Sequence, residues 1–259
     1  MNLFPTTAAV IAVALFLLWL LSLRLRDASI VDIFWGFGFV LIAWTSYGLT
    51  AGAPARRALL TGMVTIWGLR LALYLAWRNI GKGEDYRYQA MRRRHGDRFP
   101  LISLLTVFGL QGVLMWIISL PLQLAQVPAE PAALTPLDAI GAALWLIGLA
   151  FESIGDWQLA RFKADPANKG RVMDRGLWAW TRHPNYFGDA VAWWGFFAIA
   201  AAAGAWWTVL SPVLMTLLLM KVSGVALLEK TLVKTKPEYQ DYVRRTSAFF
   251  PRFPKRENA

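Results

Sequence analysis

Residues Arg175–Gly195 read RGLWAWTRHPNYFGDAVAWWG. The stretch opens with Arg175, Arg182 and His183 and closes in an apolar run carrying Trp193 and Trp194. A Pro-Asn step favours turn initiation, so Pro184, Asn185 and Tyr186 are read as a turn. Asp189 then falls in the first turns of a helix. Acidic side chains suit a helix N-terminus, and the unbonded backbone N–H groups there attract anions. Such a stretch fits a cation-rich interfacial loop flanked by aromatics. It also fits a site holding a polar, phosphate-bearing ligand against a membrane helix. The charges found inside the neighbouring spans favour the site.

Outward from this stretch the chain is apolar. Hydrophobic residues make up 57% of its 259 positions, against roughly 45–50% in soluble domains. The excess lies in long runs, which defines an all-α, polytopic membrane protein. There is no cysteine, so disulfides and thiolate chemistry are excluded. The net charge of +11 raises nucleic acid as a partner, but the basic residues are confined to certain loops, as membrane topology requires. The N-terminus lacks a basic n-region and a small-residue cleavage site, so Phe4–Leu23 is expected to be a retained helix. One domain, 1–259, is expected. Residues 1–101 carry substrate-side helices and a cytosolic loop, and residues 102–259 carry cofactor-side helices and the tail.

Seven spans of membrane length are read: Phe4–Leu23, Ile30–Leu49, Ala58–Trp77, Ile102–Leu124, Leu137–Leu159, Phe187–Ala203 and Trp206–Leu228. The loops after spans one, three and five, with the tail, hold twenty-three Lys and Arg. The opposite side holds Arg56 and Arg57. This asymmetry puts the N-terminus outside and the C-terminus in the cytosol.

Seven ionisable residues within or at the ends of these spans stand out: Asp32, Arg70, Glu152, Asp156, Asp189, Lys221 and Glu229. By the topology all lie in the cytosolic half, which suggests a polar cavity open to that side. Glu152 and Asp156 share a helix face, and so do Arg70 and Tyr74. Interhelical ion pairing is the plainer explanation of such charges, and intramembrane ionisable residues are also the usual mark of function. The segment Gly81–Arg98, GKGEDYRYQAMRRRHGDR, is read as a second polar loop. Its arginine run suits anionic headgroups, and its Glu84–Tyr88 stretch suits a cover over a cofactor. The chain holds no dinucleotide-binding GxGxxG between strand and helix, no GxxxxGK[ST], no HExxH and no GxSxG. Two histidines are too few for a His-based metal centre, and no metal is expected.

Glu152-x3-Asp156, Lys163, Arg171, Gly176-Leu177, the HPNY sequence and Asp189 together resemble the steroid 5α-reductase-like membrane enzymes, best over Glu152–Trp194. The HPNY element is also similar to one in isoprenylcysteine and phospholipid methyltransferases. The resemblance implies a seven-helix bundle enclosing NADPH. It implies that Asp156, Asn185 and Asp189 hold the nicotinamide-ribose and diphosphate region, with Lys163 and Arg171 near the phosphates. Glu152, Arg175, Arg182, His183, Tyr186 and Glu229 complete the candidate cofactor set. The steroid enzymes grip the substrate carbonyl with Gln and Glu on the second helix and Tyr on the third. The nearest candidates here are Asp32 and Tyr74, with Arg70 beside Tyr74.

The expected reaction is NADPH-dependent reduction of a carbon–carbon double bond conjugated to a carbonyl, in a lipophilic, steroid-like substrate entering from the bilayer. Hydride goes to the β-carbon, and a positioned acid stabilises the carbonyl oxygen. Tyr74 is the candidate acid, oriented by Asp32 or made more acidic by Arg70. The rival is an S-adenosylmethionine-dependent membrane methyltransferase. The cations at Lys163, Lys169, Arg171, Arg175 and Arg182 suit a ligand with several phosphates better. Membrane lipids are the other expected partners. Nucleic acid is not expected, and the chain is read as a monomer.

Overall fold

Helix-length apolar runs dictate the architecture, and the computed structural model describes residues 2–222, 229 and 238–253. The described residues are helical with no strand; their one bridge pairs Thr181 with Ser247 in parallel. The helices are α1 Leu3–Leu25, α2 Ile30–Leu49, α3 Pro54–Asn79, α4 Tyr86–His95, α5 Phe99–Ser103, α6 Leu110–Ile118, α7 Leu120–Leu124, α8 Pro136–Ala164, α9 Leu177–Trp180, α10 Pro184–Ala202, α11 Leu210–Leu217 and α12 Tyr239–Arg245. Among the described residues, five helical runs are long and apolar enough to cross a membrane: α1, α2, α3, the run Tyr86–Ile118 and α8. That number is what a multi-pass membrane protein presents. Trp206–Lys221 is a shorter apolar run, and residues 223–228 of the expected seventh span lie outside the described residues.

Three elements differ from the sequence reading. The HPNY residues do not form a turn before a helix, because α10 begins at Pro184 itself. Proline suits the first helical position, where its missing N–H costs no bond. Asn185 and Tyr186 therefore already belong to the first helical turn. The Gly81–Arg98 segment is not a loop throughout, since α4 occupies ten of its residues. Asp85 caps that helix, accepting from the Arg87 N–H at 3.0 Å. The fourth span is interrupted: Leu104–Gly109 takes π-helical geometry between α5 and α6.

The chain divides into two compact units, Met1–Asp138 with Ile199–Thr208, and Ala139–Ala198 with Val209–Ala259. In the first unit α2 and α3 pack with backbones nearly touching. A Cβ on Gly36 would sit 2.5 Å from the Gly68 carbonyl oxygen. Trp67 and Phe39 fill the buried core beside this crossing, their rings 5.9 Å apart. Burying each is worth about 1.5–3 kcal/mol. Buried polar groups are bonded across the same unit. Thr7 donates to Gln123 Oε1 at 2.8 Å, and Gln126 donates to the Ala43 carbonyl at 3.2 Å.

Arg56 and Asp138 alter the picture of one-sided charge. Both are buried, with side-chain exposures of 1% and 0%, and pair at 2.8 Å. They lie near the starts of α3 and α8, and Arg56 is at the opposite end of α3 from Arg70. The sequence reading counted Arg56 as a loop cation and omitted Asp138 from the charges within spans. Buried charge is therefore not confined to one end.

The second unit is built on α8 and α10. A Cβ on Gly188 would come within 2.5 Å of the Gly148 carbonyl oxygen and 2.6 Å of the Glu152 nitrogen. A Cβ on Gly195 would stand 2.6 Å from the Gly141 oxygen. Glycines spaced seven apart on both helices thus let two helical backbones lie in direct contact, as small residues do in membrane helix pairs.

Candidate functional site

The α8–α10 contact decides which polar groups meet. Glycine at 148, 155 and 188 removes the side chains that would hold the helices apart, and Gly155 faces Pro184 and the Asn185 nitrogen. Glu152 and Asp156 on α8 and Asp189 on α10 are buried, with exposures of 3%, 4% and 8%. Asn185 donates its amide to Asp156 Oδ1 at 3.1 Å, and its own carbonyl oxygen accepts the Tyr186 N–H at 3.1 Å. The Trp178 indole donates to the Gly155 carbonyl at 3.0 Å and seats the preceding loop on α8. Three buried carboxyls and the half-buried Asn185 amide on one helix pair are the acceptor and donor types that suit a polyhydroxylated ligand such as a ribose.

Beyond the end of this pair α8 projects charged residues. A cleft of about 360 Å³ is lined by Lys163, Asp165, Asn168, Lys169 and Arg171, among others. A second, of about 580 Å³, lies along Trp157, Gln158, Arg161 and Arg175. Phe162 and Asn168 line both. Arg161 stands over the exposed Trp157 ring at 5.6 Å. Lys163, Arg171 and Arg175 are exposed, where cations can meet a phosphate. This donor set fits a dinucleotide: acceptors for ribose hydroxyls sit on the helix pair, and cations line the clefts at its end.

Arg182 and His183 are engaged differently from the sequence expectation. The buried Arg182 makes a bidentate pair with Glu229, at 2.7 and 3.1 Å. It also donates to the carbonyls of Val243, at 3.2 Å, and Thr246. His183 Nε2 lies 3.1 Å from Glu229, and its ring stacks on Tyr186 with centroids 5.6 Å apart. Around these contacts the tail folds onto the loop. The Arg182 N–H bonds Ser247 at 2.9 Å, the Arg252 N–H bonds Trp180 at 3.0 Å, and the Tyr242 hydroxyl bonds the Trp178 carbonyl at 2.5 Å. Arg182, His183 and Glu229 thus form a clasp that fixes the entrance to α10. Burial alone would raise the Glu229 carboxyl, but the His183 and Arg182 hydrogen bonds outweigh it and hold the group at about 2. Burial is also the main reason the Tyr239 hydroxyl is pushed up to about 12, with Glu229 adding to it.

The catalytic candidates lie in the first unit. Arg70 and Arg78 stand 5.5 and 5.7 Å from the Tyr74 ring, and Trp77 packs beside it at 5.9 Å. The structure thus brings Arg70 to Tyr74. Asp32 is engaged elsewhere, accepting from the Tyr88 hydroxyl at 2.8 Å and pairing with Arg87 at 2.7 Å. Arg87 bridges onward to Asp85 at 2.8 Å. Glu84 receives the Ala28 N–H at 2.9 Å and pairs with Arg92 at 2.8 Å. The Glu84–Tyr88 sequence, expected to cover a cofactor, ties the start of α4 to residues 28–32 at the start of α2. Tyr88 as the partner of Asp32 was not foreseen. The two lie 56 residues apart, and only folding of α4 brings them together.

Among the described residues no group of three or more His, Asp or Glu side chains is arranged to hold a metal. A family model described as "Protein of unknown function (DUF1295)" matches residues 18–246. An uncharacterized protein of Schizosaccharomyces pombe is 26% identical over 264 residues, covering 91% of this chain and 76% of the relative. No solved structure matches.

Proposed function

The chain belongs to the DUF1295 family of steroid 5α-reductase-like proteins, and from that premise we propose that it is an NADPH-dependent membrane reductase. Its substrate class is a lipophilic enone, steroid-like in bulk and polarity, taken from the bilayer of a bacterial inner membrane. In this reading seven helices cross that membrane with the N-terminus outside. The observation that carries the proposal is the α8–α10 crossing, where Asp156 and Asn185 are hydrogen-bonded at 3.1 Å beside buried Glu152 and Asp189, on the helix that leads to the Lys163–Arg171 cleft.

When bound, such a cofactor supplies a hydride for the β-carbon of the enone. The residues of the chain then have separable tasks. Asp156, Asn185, Glu152 and Asp189 offer hydrogen bonds to ribose hydroxyls, which orient the reactive ring. Lys163, Lys169, Arg171 and Arg175 neutralise phosphate charge, with the guanidinium groups able to bond it in bidentate fashion. Arg182, His183 and Glu229 keep the entrance to α10 in place, with Tyr186 stacked on His183. Tyr74 would hold its proton at the enone carbonyl oxygen, and the enol so formed would become the saturated carbonyl by taking a proton from water at the α-carbon and releasing the one on oxygen. Arg70, close to the Tyr74 ring, favours the negative charge that develops on its oxygen.

Thermal unfolding of the purified full chain with NADPH, NADH or S-adenosylmethionine tests the assignment, because a ligand that binds the native state raises its melting temperature. NADPH is expected to give the largest rise. Stabilisation by the methyl donor alone would make the chain a methyltransferase instead. Tyr74→Phe is expected to keep the NADPH-driven rise and lose about 10²-fold or more in enone turnover. Normal turnover in that variant would remove Tyr74 from the chemistry.

A further inference from the structure

Helix α4 has two chemically distinct faces. One is spent within the first unit: Arg87 on Asp32 and Asp85, Tyr88 on Asp32, and Arg92 on Glu84 with its guanidinium 4.3 Å from the Phe99 ring. The other face and the turn after it present Arg93, Arg94 and Arg98 to the exterior. The end of α1 adds exposed Arg24 and Arg26. Two bonds bring that end of α1 alongside α4 and α5. Trp19 donates to the Pro100 carbonyl at 3.0 Å, and the Ala28 N–H to Glu84 at 2.9 Å. The cations therefore form one patch rather than two scattered groups.

Two further features fix the surroundings of the patch. α4 continues within a single helical run, Tyr86–Ile118, into a stretch apolar enough to cross a membrane. The arginines thus sit at the point where that run leaves the apolar layer. Large exposed apolar side chains flank them along the chain: Tyr86, at the start of α4, at 55% exposure and Leu101, three residues after Arg98, at 65%. Trp and Tyr collect at headgroup depth because one part of the ring is apolar and another polar. Arginine forks match phosphate oxygens in bidentate geometry. Fixed cations on a helix with an interfacial tyrosine, facing away from every carboxylate that α4 uses internally, match the headgroups of an anionic bilayer.

We infer that the outer face of α4, with the end of α1, is a binding surface for anionic phospholipid headgroups, and that lipid bound there steadies α4. The occupant is the bilayer itself rather than a soluble anion, because the arginines lie on the helical run that leads into an apolar, membrane-length stretch, with exposed Tyr86 and Leu101 on either side along the chain. This surface is independent of the cofactor residues, all of which lie in the second unit.

The full chain reconstituted in nanodiscs of phosphatidylcholine, with or without phosphatidylglycerol, provides the test. The melting temperature is expected to be higher with phosphatidylglycerol, and high salt should shrink the difference, since exposed charges are screened within roughly 10 Å at moderate ionic strength. The triple variant R93Q/R94Q/R98Q should lose the difference while R93K/R94K/R98K keeps most of it. Each arginine removed should weaken phosphatidylglycerol retention about fivefold, from the roughly 1 kcal/mol per basic residue near an anionic surface. Equal melting temperatures in the two lipids would overturn the inference. So would an undiminished lipid effect in the glutamine variant, or an equal rise on adding inorganic phosphate to phosphatidylcholine discs. A glutamine variant that does not fold leaves the lysine variant and the salt titration as the deciding measurements.

Discussion

Two buried charged sites can be set side by side: Arg56 with Asp138, and the carboxyls of α8 and α10. In the first, the charges balance and nearly every valence is spent. Asp138 takes a bidentate pair from Arg56 at 2.8 and 2.9 Å and accepts from the Thr135 N–H and hydroxyl at 2.8 and 2.9 Å; Arg56 gives a further bond to the Pro131 carbonyl at 3.2 Å. Such a pair anchors the loop before α8 to the start of α3. In the second, Glu152, Asp156 and Asp189 are buried on two helices in backbone contact, and Asp156 accepts from the Asn185 amide at 3.1 Å. Like charges brought together out of water are costly unless a partner shares the site. Burial of charge therefore does not mark function by itself. The α8–α10 carboxyls differ in lying on the helix pair whose α8 runs on into the Lys163–Arg171 cleft.

The comparison can be broken experimentally. Asp138→Ala strands a buried guanidinium and should cost about 3–5 kcal/mol. That would appear as a large fall in melting temperature with NADPH still able to stabilise the folded fraction. A loss under about 1 kcal/mol, typical of exposed pairs, would remove the contrast between the sites. Gly188→Ala should cost about 1–3 kcal/mol, since overpacking forces backbones apart. It should also lower NADPH affinity, because separating α10 from α8 moves Asn185 from Asp156. Unchanged affinity in a destabilised variant would detach the ligand site from the helix crossing.

The smallest effect concerns the clasp. The Glu229 carboxyl is held at about 2, below its ordinary value of 4.5. The unfolded chain therefore binds the proton more readily, and stability falls as pH drops from about 4.5 toward 2. Glu229→Gln should flatten the acid side of the melting-temperature profile and leave the neutral side lower throughout. An unchanged acid slope would place the clasp's stabilisation elsewhere.

Much of the architecture was legible in the sequence. Apolar runs at bilayer length identified the helices, and the four-residue spacing of Glu152 and Asp156 put both on one face. Their proximity to Asn185 required the glycines at 148 and 188, whose role is readable only when two backbones are seen in contact. Three features were out of reach for related reasons. Asp138 draws no notice among the span charges, and only the fold sets it against Arg56. Asp32 could not be matched to Tyr88 because α4 was read as loop. Arg182 counted as a phosphate ligand because the tail that claims it lies some 60 residues on, with Val243 and Thr246. Spacing reveals neighbours within a helix, and long-range partners depend on tertiary folding.

The most direct test of the cofactor assignment is calorimetric titration of NADPH into the detergent-solubilised full chain and into Asp156→Ala. The account predicts saturable binding to the unmodified chain. In the variant it predicts affinity weaker by about tenfold or more, in keeping with the roughly 1.5–3 kcal/mol of a hydrogen bond to a charged group. Saturable binding of equal strength in both proteins would contradict the α8–α10 site.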